Sequence, residues 1–236
     1  MELMDLNNLG TLEVGKFIKR ENRFLGKIII DDKEKSCYIA DTGRLEEILM
    51  ENRKVWVIKN REELKTDYTL IAINIGREWV LINTLLHSSI AYRAIENGVL
   101  GFIPKTIKKE VKFKNSRFDF LVDNNTFVEL KGCNLVKENI CYFPDAPTKR
   151  GVKHLEELIK AKEEGYNSII LIMAIRDCEY FLPNLERDRK FTEVFYRALE
   201  KGVDFRGFKI KINERDKKVY LTSNRLKLGE YGKKIF

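Results

Sequence analysis

The sequence predicts an α/β chain, α+β overall, in two parts: a small β-barrel of the oligonucleotide/oligosaccharide-binding (OB) type over residues 1–82, then a mixed-sheet α/β domain over residues 83–236. Three observations carry this. The first 82 residues hold about five β-branched or alternating runs punctuated by Gly, Asn and Asp. From residue 84 the order changes to helix, three strands, helix, strand, the pattern of a meander closed by a helical crossover. The chain has 236 residues, 44% hydrophobic and 11% aromatic, enough for one large core or two small ones.

In the first part, Thr11–Lys19, Phe24–Ile30, Ser36–Ile39, Val55–Lys59 and Thr69–Ile73 read as strands, with a short helix over Arg44–Met50. Five strands and one helix in some 80 residues suit a five-stranded barrel; a small sandwich has the same signature. In the second part, residues 84–97 place Leu86, Ile90, Ala94 and their neighbours on one helical face, with Gly98 as the stop. Strands follow at Glu110–Phe113, Arg117–Val122 and Thr126–Lys131. A helix over Gly151–Glu164 buries Val152, Leu155, Leu158 and Ile159. Ser168–Ile175 is almost wholly apolar, as a central strand covered on both faces must be. A third helix, Arg187–Lys201, buries Phe191, Val194, Phe195, Ala198 and Leu199, and Val203–Asn213 and Lys218–Thr222 close the domain as strands.

Net charge is +8 and unevenly placed: residues 1–82 carry −1 and residues 83–236 carry +9. Within the second part, residues 105–117 carry +5 and residues 205–236 carry +7. Basic segments with interleaved Phe and Tyr suit a polyanion, because Lys and Arg on phosphates release condensed counterions. A solvated Lys-rich surface has the same composition. No apolar run approaches the roughly 20 residues needed to cross a bilayer, so no membrane partner is expected. The segment MELMDLNNLG lacks the basic-then-apolar order of a secretory signal, and Cys37, Cys133, Cys141 and Cys178 form no C-x-x-C pair. The expectation is a cytoplasmic protein with reduced core thiols. Phosphate-loop, dinucleotide-loop, zinc-spacing and helix-turn-helix patterns are all missing, which argues against nucleotide hydrolysis, dinucleotide redox chemistry, structural zinc and a conventional repressor.

The chemistry concentrates in RFDFLVDNNTFVELK. If Val122 and Thr126 flank a three-residue loop, Phe118 faces Leu130 and Phe120 faces Val128 on one apolar side. Asp119 then faces Glu129 on the other side, with Lys131 two residues along. Paired carboxylates repel unless a cation joins them, and Mg²⁺ or Mn²⁺ with hard oxygen ligands is the natural guest. A lysine beside that metal orients a water or stabilises phosphate charge. A cross-strand Lys–Glu pair with a nearby Asp on a solvated face fits the same spacing.

Asp119, Glu129 and Lys131, inside helix, three strands, helix and strand, resemble the core of the PD-(D/E)xK restriction-endonuclease-like superfamily. The likeness is closer to the sugar fermentation stimulation protein A family. It rests on RFLGK at Arg23–Lys27, DTGRL at Asp41–Leu45, INT at Ile82–Thr84, SRFDF at Ser116–Phe120, VELK at Val128–Lys131, and CYFPDAPTKRGVKHLEEL at Cys141–Leu158. Phe118 stands where the superfamily has proline, Asp41 where the family usually has Asn, and Gly132 where Ser is common. The resemblance implies an OB barrel joined to a restriction-endonuclease-like domain, and a DNA-binding protein.

Asp119 and Glu129 are thus the candidate metal ligands, and with Lys131 the candidate catalytic set. Thr148, Lys149 and Arg150 open a helix that also carries Lys153 and His154, a phosphate seat or an ordinary basic N-cap. His154 is one of two histidines; a lone histidine is more often structural than a general base, though its place beside Arg150 suits phosphate contact. Glu110 and Asp145 are weaker metal candidates. Arg117 lies in the first basic segment. Arg23 and Phe24 of the barrel suit a phosphate and a stacked base, though Phe24 fits a core equally. Two functions from different classes follow. One is a Mg²⁺- or Mn²⁺-dependent DNA endo- or exonuclease; the other is a non-catalytic DNA-binding regulator using the fold as scaffold. An RNA-directed activity is the weaker third, since barrel and basic tail do not separate the polymers.

Overall fold

The alternating N-terminal runs close on themselves. A computed structural model describes residues 1–231; residues 232–236, the end of the basic C-terminal segment, lie outside the described residues. The chain divides into two compact units, residues 1–90 with 211–221, and residues 91–210 with the described residues from 222 onward.

The first unit contains β1 (Glu2–Asp5), β2 (Leu12–Arg20), β3 (Leu25–Ile30), β4 (Lys33–Tyr38), β5 (Lys54–Lys59), β6 (Tyr68–Asn74) and β7 (Trp79–Leu81). Strands β2–β6 run in the order β4-β3-β2-β5-β6, and the parallel pairs Cys37–Tyr68 and Tyr38–Thr69 join β4 back to β6. That closure makes a five-stranded barrel of the OB type and settles the choice against a sandwich. Its interior includes Phe17, Ile28, Cys37, Val55, Val57 and Leu70, all essentially without solvent contact. The helix expected over Arg44–Met50 does not form. Leu45 takes φ +53, in the left-handed region that ends a helix, and the segment folds as turns, with Ile48 and Leu49 donating to the Leu45 carbonyl and Met50 to that of Ile48.

The remaining elements are α1 (His87–Glu96), β8 (Ile107–Phe113), β9 (Ser116–Val122), β10 (Thr126–Cys133), β11 (Leu135–Lys137), β12 (Ile140–Phe143), α2 (Lys149–Glu163), β13 (Asn167–Ala174), β14 (Tyr180–Pro183), α3 (Arg189–Glu200), β15 (Asp204–Asn213), β16 (Lys218–Ser223) and β17 (Lys227–Leu228). A seven-stranded mixed sheet has the order β1-β16-β15-β13-β10-β9-β8, with β10, β13 and β15 parallel. Every residue of β13 from Ser168 onward is buried, as its apolar run predicts. Ile170, Ile172 and Ala174 share one core with Leu155 and Leu158 of α2 and with Phe191, Val194, Phe195 and Ala198 of α3. The short strands β11, β12, β14 and β17 form a second sheet that hydrophobic patterning did not reveal. No helix among the described residues is long and apolar enough to cross a membrane.

Candidate functional site

The β9–β10 hairpin places the candidate residues. Thr126 pairs with Val122, Phe127 with Leu121 and Val128 with Phe120, so the three-residue loop and its register are as the sequence predicts. Asp123 and Asn124 at the turn adopt φ +49 and +59. These are the residue types that tolerate the left-handed region. The Asp123 carboxylate also accepts from the amides of Lys105 and Thr106, both at 2.8 Å, and fixes the entry to β8.

Beyond Val128 the hairpin ladder stops. In place of a backbone bond, the Asp119 carboxylate accepts from the Leu130 amide at 2.7 Å. The alternation of β9 breaks here too, which corrects the expected apolar face. The Phe118 ring lies 5.0 Å from that of Phe127 and so shares its sheet face, whereas Phe120 is paired with Val128 on the opposite face. On the partner strand, Glu110, opposite Asp119, has φ +55. The irregularity lets Asp119 turn its carboxylate onto β10.

Glu129 is 2% exposed and faces α2, where His154 is 6% exposed. The Lys131 ammonium donates to Glu129 Oε1 at 2.5 Å, and the His154 Nδ1 makes a short hydrogen bond to the same oxygen. Arg150, one turn earlier on α2, donates through Nε to His154 Nε2 at 3.4 Å. Since Nε2 accepts, Nδ1 carries the proton and donates to Glu129. The 3.3 Å approach of Lys131 Nζ to His154 Nδ1 is then two donors sharing one acceptor. Glu129 Oε2 is buried and makes no hydrogen bond among the described residues.

The carboxyls are driven apart. Burial pushes Asp119 up, the Glu129 charge adds to it, and together they outweigh Lys131 and the Leu130 amide to reach about 7. Burial also pushes Glu129 up, but Lys131 and His154 overcome it and hold Glu129 below the usual carboxylate range. Two interacting carboxyls, one held deprotonated and one raised to about 7, with a buried carboxylate oxygen that has no donor, match what a hard dication would satisfy. Among the described residues no group of three or more His, Cys, Asp and Glu side chains gathers around a metal position.

The other candidates fall around this centre or away from it. Arg117 is exposed on β9, 3.6 Å from Glu110. Helix α2 begins at Lys149, with the Thr148 hydroxyl capping the Gly151 amide at 3.0 Å and Asp188 accepting from the Thr148 amide. Lys149 and Arg150 are exposed there, and Lys153 reaches the Asn115 carbonyl at 2.7 Å. His154 lies inward, on Glu129. The sequence held the signal for that: Gly151, His154, Leu155 and Leu158 share the helix face that is buried. Arg23 belongs to the barrel, with its guanidinium 5.7 Å from the centre of the exposed Phe24 ring; that ring stacks 6.4 Å from Tyr38.

Comparison with known proteins now separates family from activity. A family model described as "Sugar fermentation stimulation protein RE domain" matches residues 85–216, and one described as "SfsA N-terminal OB domain" matches residues 18–82. The sugar fermentation stimulation protein homolog of Thermotoga maritima is 39% identical over 199 residues, covering 84% of this chain and 87% of that protein. The homolog of Sulfolobus acidocaldarius is 43% identical over 187 residues, 79% of this chain and 77% of that one. A solved structure described as Pyrococcus furiosus SfsA in complex with Ca²⁺ superposes with a TM-score of 0.87 at 28% identity, covering 98% of this chain and all of that one. The chain therefore belongs to the sugar fermentation stimulation protein family.

Proposed function

We propose that this chain binds nucleic acid, DNA before RNA, and cleaves it at a Mg²⁺- or Mn²⁺-dependent phosphodiesterase site formed by Asp119, Glu129 and Lys131. The observation that carries the reading is the buried, unpartnered Glu129 Oε2 beside an Asp119 carboxyl raised to about 7. A solvated ion-pair face does not bury an orphaned carboxylate oxygen, because desolvation without a partner costs about 1–3 kcal/mol. The Pyrococcus furiosus relative is described with Ca²⁺, a hard dication of the same ligand preference.

When bound, the metal supplies Lewis acidity to a phosphoryl oxygen and a water of lowered pKa. Asp119 and Glu129 would hold it. His154 fixes the Glu129 rotamer through Nδ1, and Arg150 holds the His154 ring. Lys131 orients the attacking water and offsets charge on the phosphate as the P–O bond to the leaving strand breaks. Lys149, Arg150 and Lys153 near the start of α2, with Arg117, bind the phosphate backbone. Arg23 and Phe24 offer a phosphate contact and a stacking face on the barrel. Such a protein acts in the cytoplasm.

A second reading, a DNA-binding regulator without catalysis, draws on one observation: the Lys131 ammonium is engaged by Glu129. The test is incubation of end-labelled single- and double-stranded DNA with Mn²⁺, Mg²⁺ or EDTA, comparing wild type, Lys131→Ala and Asp119→Ala while binding is followed on the same samples. Metal-dependent cutting lost in both variants with binding retained supports the nuclease. Binding with no cutting under any metal leaves the regulator.

A further inference from the structure

The second unit carries a cleft of about 510 Å³ away from the hairpin, between the turn after α1, the start of β15 and the segment leading into β17. Its lining includes Arg206, Asn224, Arg225 and Lys227, and no acidic side chain among the described residues. Two close approaches shape it. Gly207 on β15 allows Leu226 against it: an added Cβ would stand 2.8 Å from Leu226 Cβ, and the Leu226 amide donates to the Gly207 carbonyl at 2.9 Å. Gly101 takes φ +92, where a side chain is strained, and a Cβ there would lie 3.6 Å from Arg206 Nε.

The two guanidinium groups face no carboxylate within the cleft lining, whereas Lys227 is ion-paired. Arg206 donates through Nε to the Leu100 carbonyl at 2.9 Å and through Nη1 to the Phe205 carbonyl at 3.2 Å, fixing the guanidinium plane and leaving Nη2 without a hydrogen bond among the described residues. The Ser223 hydroxyl brackets Arg225, accepting from its amide and donating to its carbonyl, and so orders the turn that presents Asn224 and Arg225. Among the described residues the side chains of Asn224 and Arg225 make no hydrogen bond or ion pair. Lys227 is engaged by Glu179 at 3.1 Å and lies over the Tyr180 ring. Val99, Phe205 and Leu226 give the floor apolar surface.

A preorganised guanidinium, a second free guanidinium and an amide over an apolar floor match a phosphate with a flat, weakly polar body attached. We infer that this cleft is a second anion site, which takes a nucleotide unit through its phosphate, with Arg206, Asn224 and Arg225 as the donors. The unit is either part of a nucleic-acid strand or a free nucleotide. The site extends the nucleic-acid reading to a second place on the same unit and does not depend on cleavage at the hairpin.

The test uses the full chain in EDTA, with a fluorescein-labelled 12-nucleotide single-stranded DNA followed by anisotropy across a salt series, and dAMP and inorganic phosphate titrated separately by calorimetry. Arg225 is exposed and its side chain makes no hydrogen bond or ion pair among the described residues, so Arg225→Ala leaves the fold intact; Arg206→Ala is the second variant, and Lys65→Ala, an exposed lysine of the barrel unit, controls for loss of charge. Each cleft variant is expected to weaken the 12-mer about fivefold to tenfold. Each should also flatten the slope of log affinity against log salt by about 0.7, one phosphate contact on a single strand. The control should move neither. Binding of dAMP or phosphate that Arg225→Ala abolishes assigns the site to free nucleotide instead. If both cleft variants match wild type in affinity and salt slope, and wild type binds neither dAMP nor phosphate, the inference is wrong. If wild type fails to bind the 12-mer, the nucleic-acid reading falls, and the cleft then stands or falls on dAMP and phosphate.

Discussion

Replacing Asp119 by Asn removes a charge that the fold disfavours, and the effect reverses the usual expectation for deleting an acid at a candidate site. Asn retains an oxygen for the Leu130 amide, which donates to Asp119 at 2.7 Å. The folded carboxyl titrates at about 7, against 3.8 when exposed, because burial and then the Glu129 charge oppose ionisation. Between those values the folded chain holds a proton that the unfolded chain has released. Wild-type stability therefore falls as pH rises through this window, and the penalty is complete above about 7. At about 1.4 kcal/mol per tenfold change in proton affinity, the whole penalty is at most about 4 kcal/mol, and roughly 2–3 kcal/mol of it develops between pH 5 and pH 8. Urea unfolding in EDTA, followed by far-UV circular dichroism at both pH values, measures it. Asp119→Asn should be more stable than wild type at pH 8, with an advantage about 2–3 kcal/mol smaller at pH 5. Mn²⁺ at 100 times its Kd should then raise wild type by about 2.7 kcal/mol and leave the variant unmoved. An Asn variant less stable than wild type at pH 8, or one with the same pH dependence, would refute the electrostatic argument.

His154→Ala should cost about 2–4 kcal/mol, since it strips a donor from a buried carboxylate and opens a gap in the packed face of α2, while His154→Gln should recover part of the loss; thermal unfolding at pH 7 checks both. Glu129→Gln should destabilise at neutral pH. Its depressed pKa contributes stability that is present above 4.5 and lost as pH falls through the folded value, so the difference from wild type should vanish in acid. Asp123→Ala should cost about 1–2 kcal/mol by releasing the amides of Lys105 and Thr106, whereas Asn124→Gly at φ +59 should stay within about 0.5 kcal/mol in the same urea series.

The parts that were legible share a physical origin in short-range pattern. Alternation around Asp123–Asn125 specified the hairpin register because a one-residue slip would turn Phe120 and Val128 to the wrong face. The unbroken apolar run of β13 could only be covered on both sides. What escaped depended on contacts remote in sequence. The 44–50 segment carries helix-forming residues, yet Leu45 at φ +53 is part of a turn set by its surroundings. Strands β11, β12, β14 and β17 run two to four residues each and borrow their stability from pairing with one another. At the site, Asp119, Glu129 and Lys131 could be placed on one hairpin from spacing alone. The capture of Glu129 by His154 links residues 25 apart, and only the packing of α2 on the sheet brings them together.

The most direct test of the central claim is a Mn²⁺ titration of the metal-free chain at pH 8, followed by electron paramagnetic resonance of the free ion. The Asp119–Glu129 pair predicts saturable Mn²⁺ binding that Asp119→Asn and Glu129→Gln each abolish, with Mg²⁺ competing. Wild type that leaves all Mn²⁺ free, or variants that bind it as wild type does, would contradict a cation site on this hairpin and the cleavage chemistry built on it.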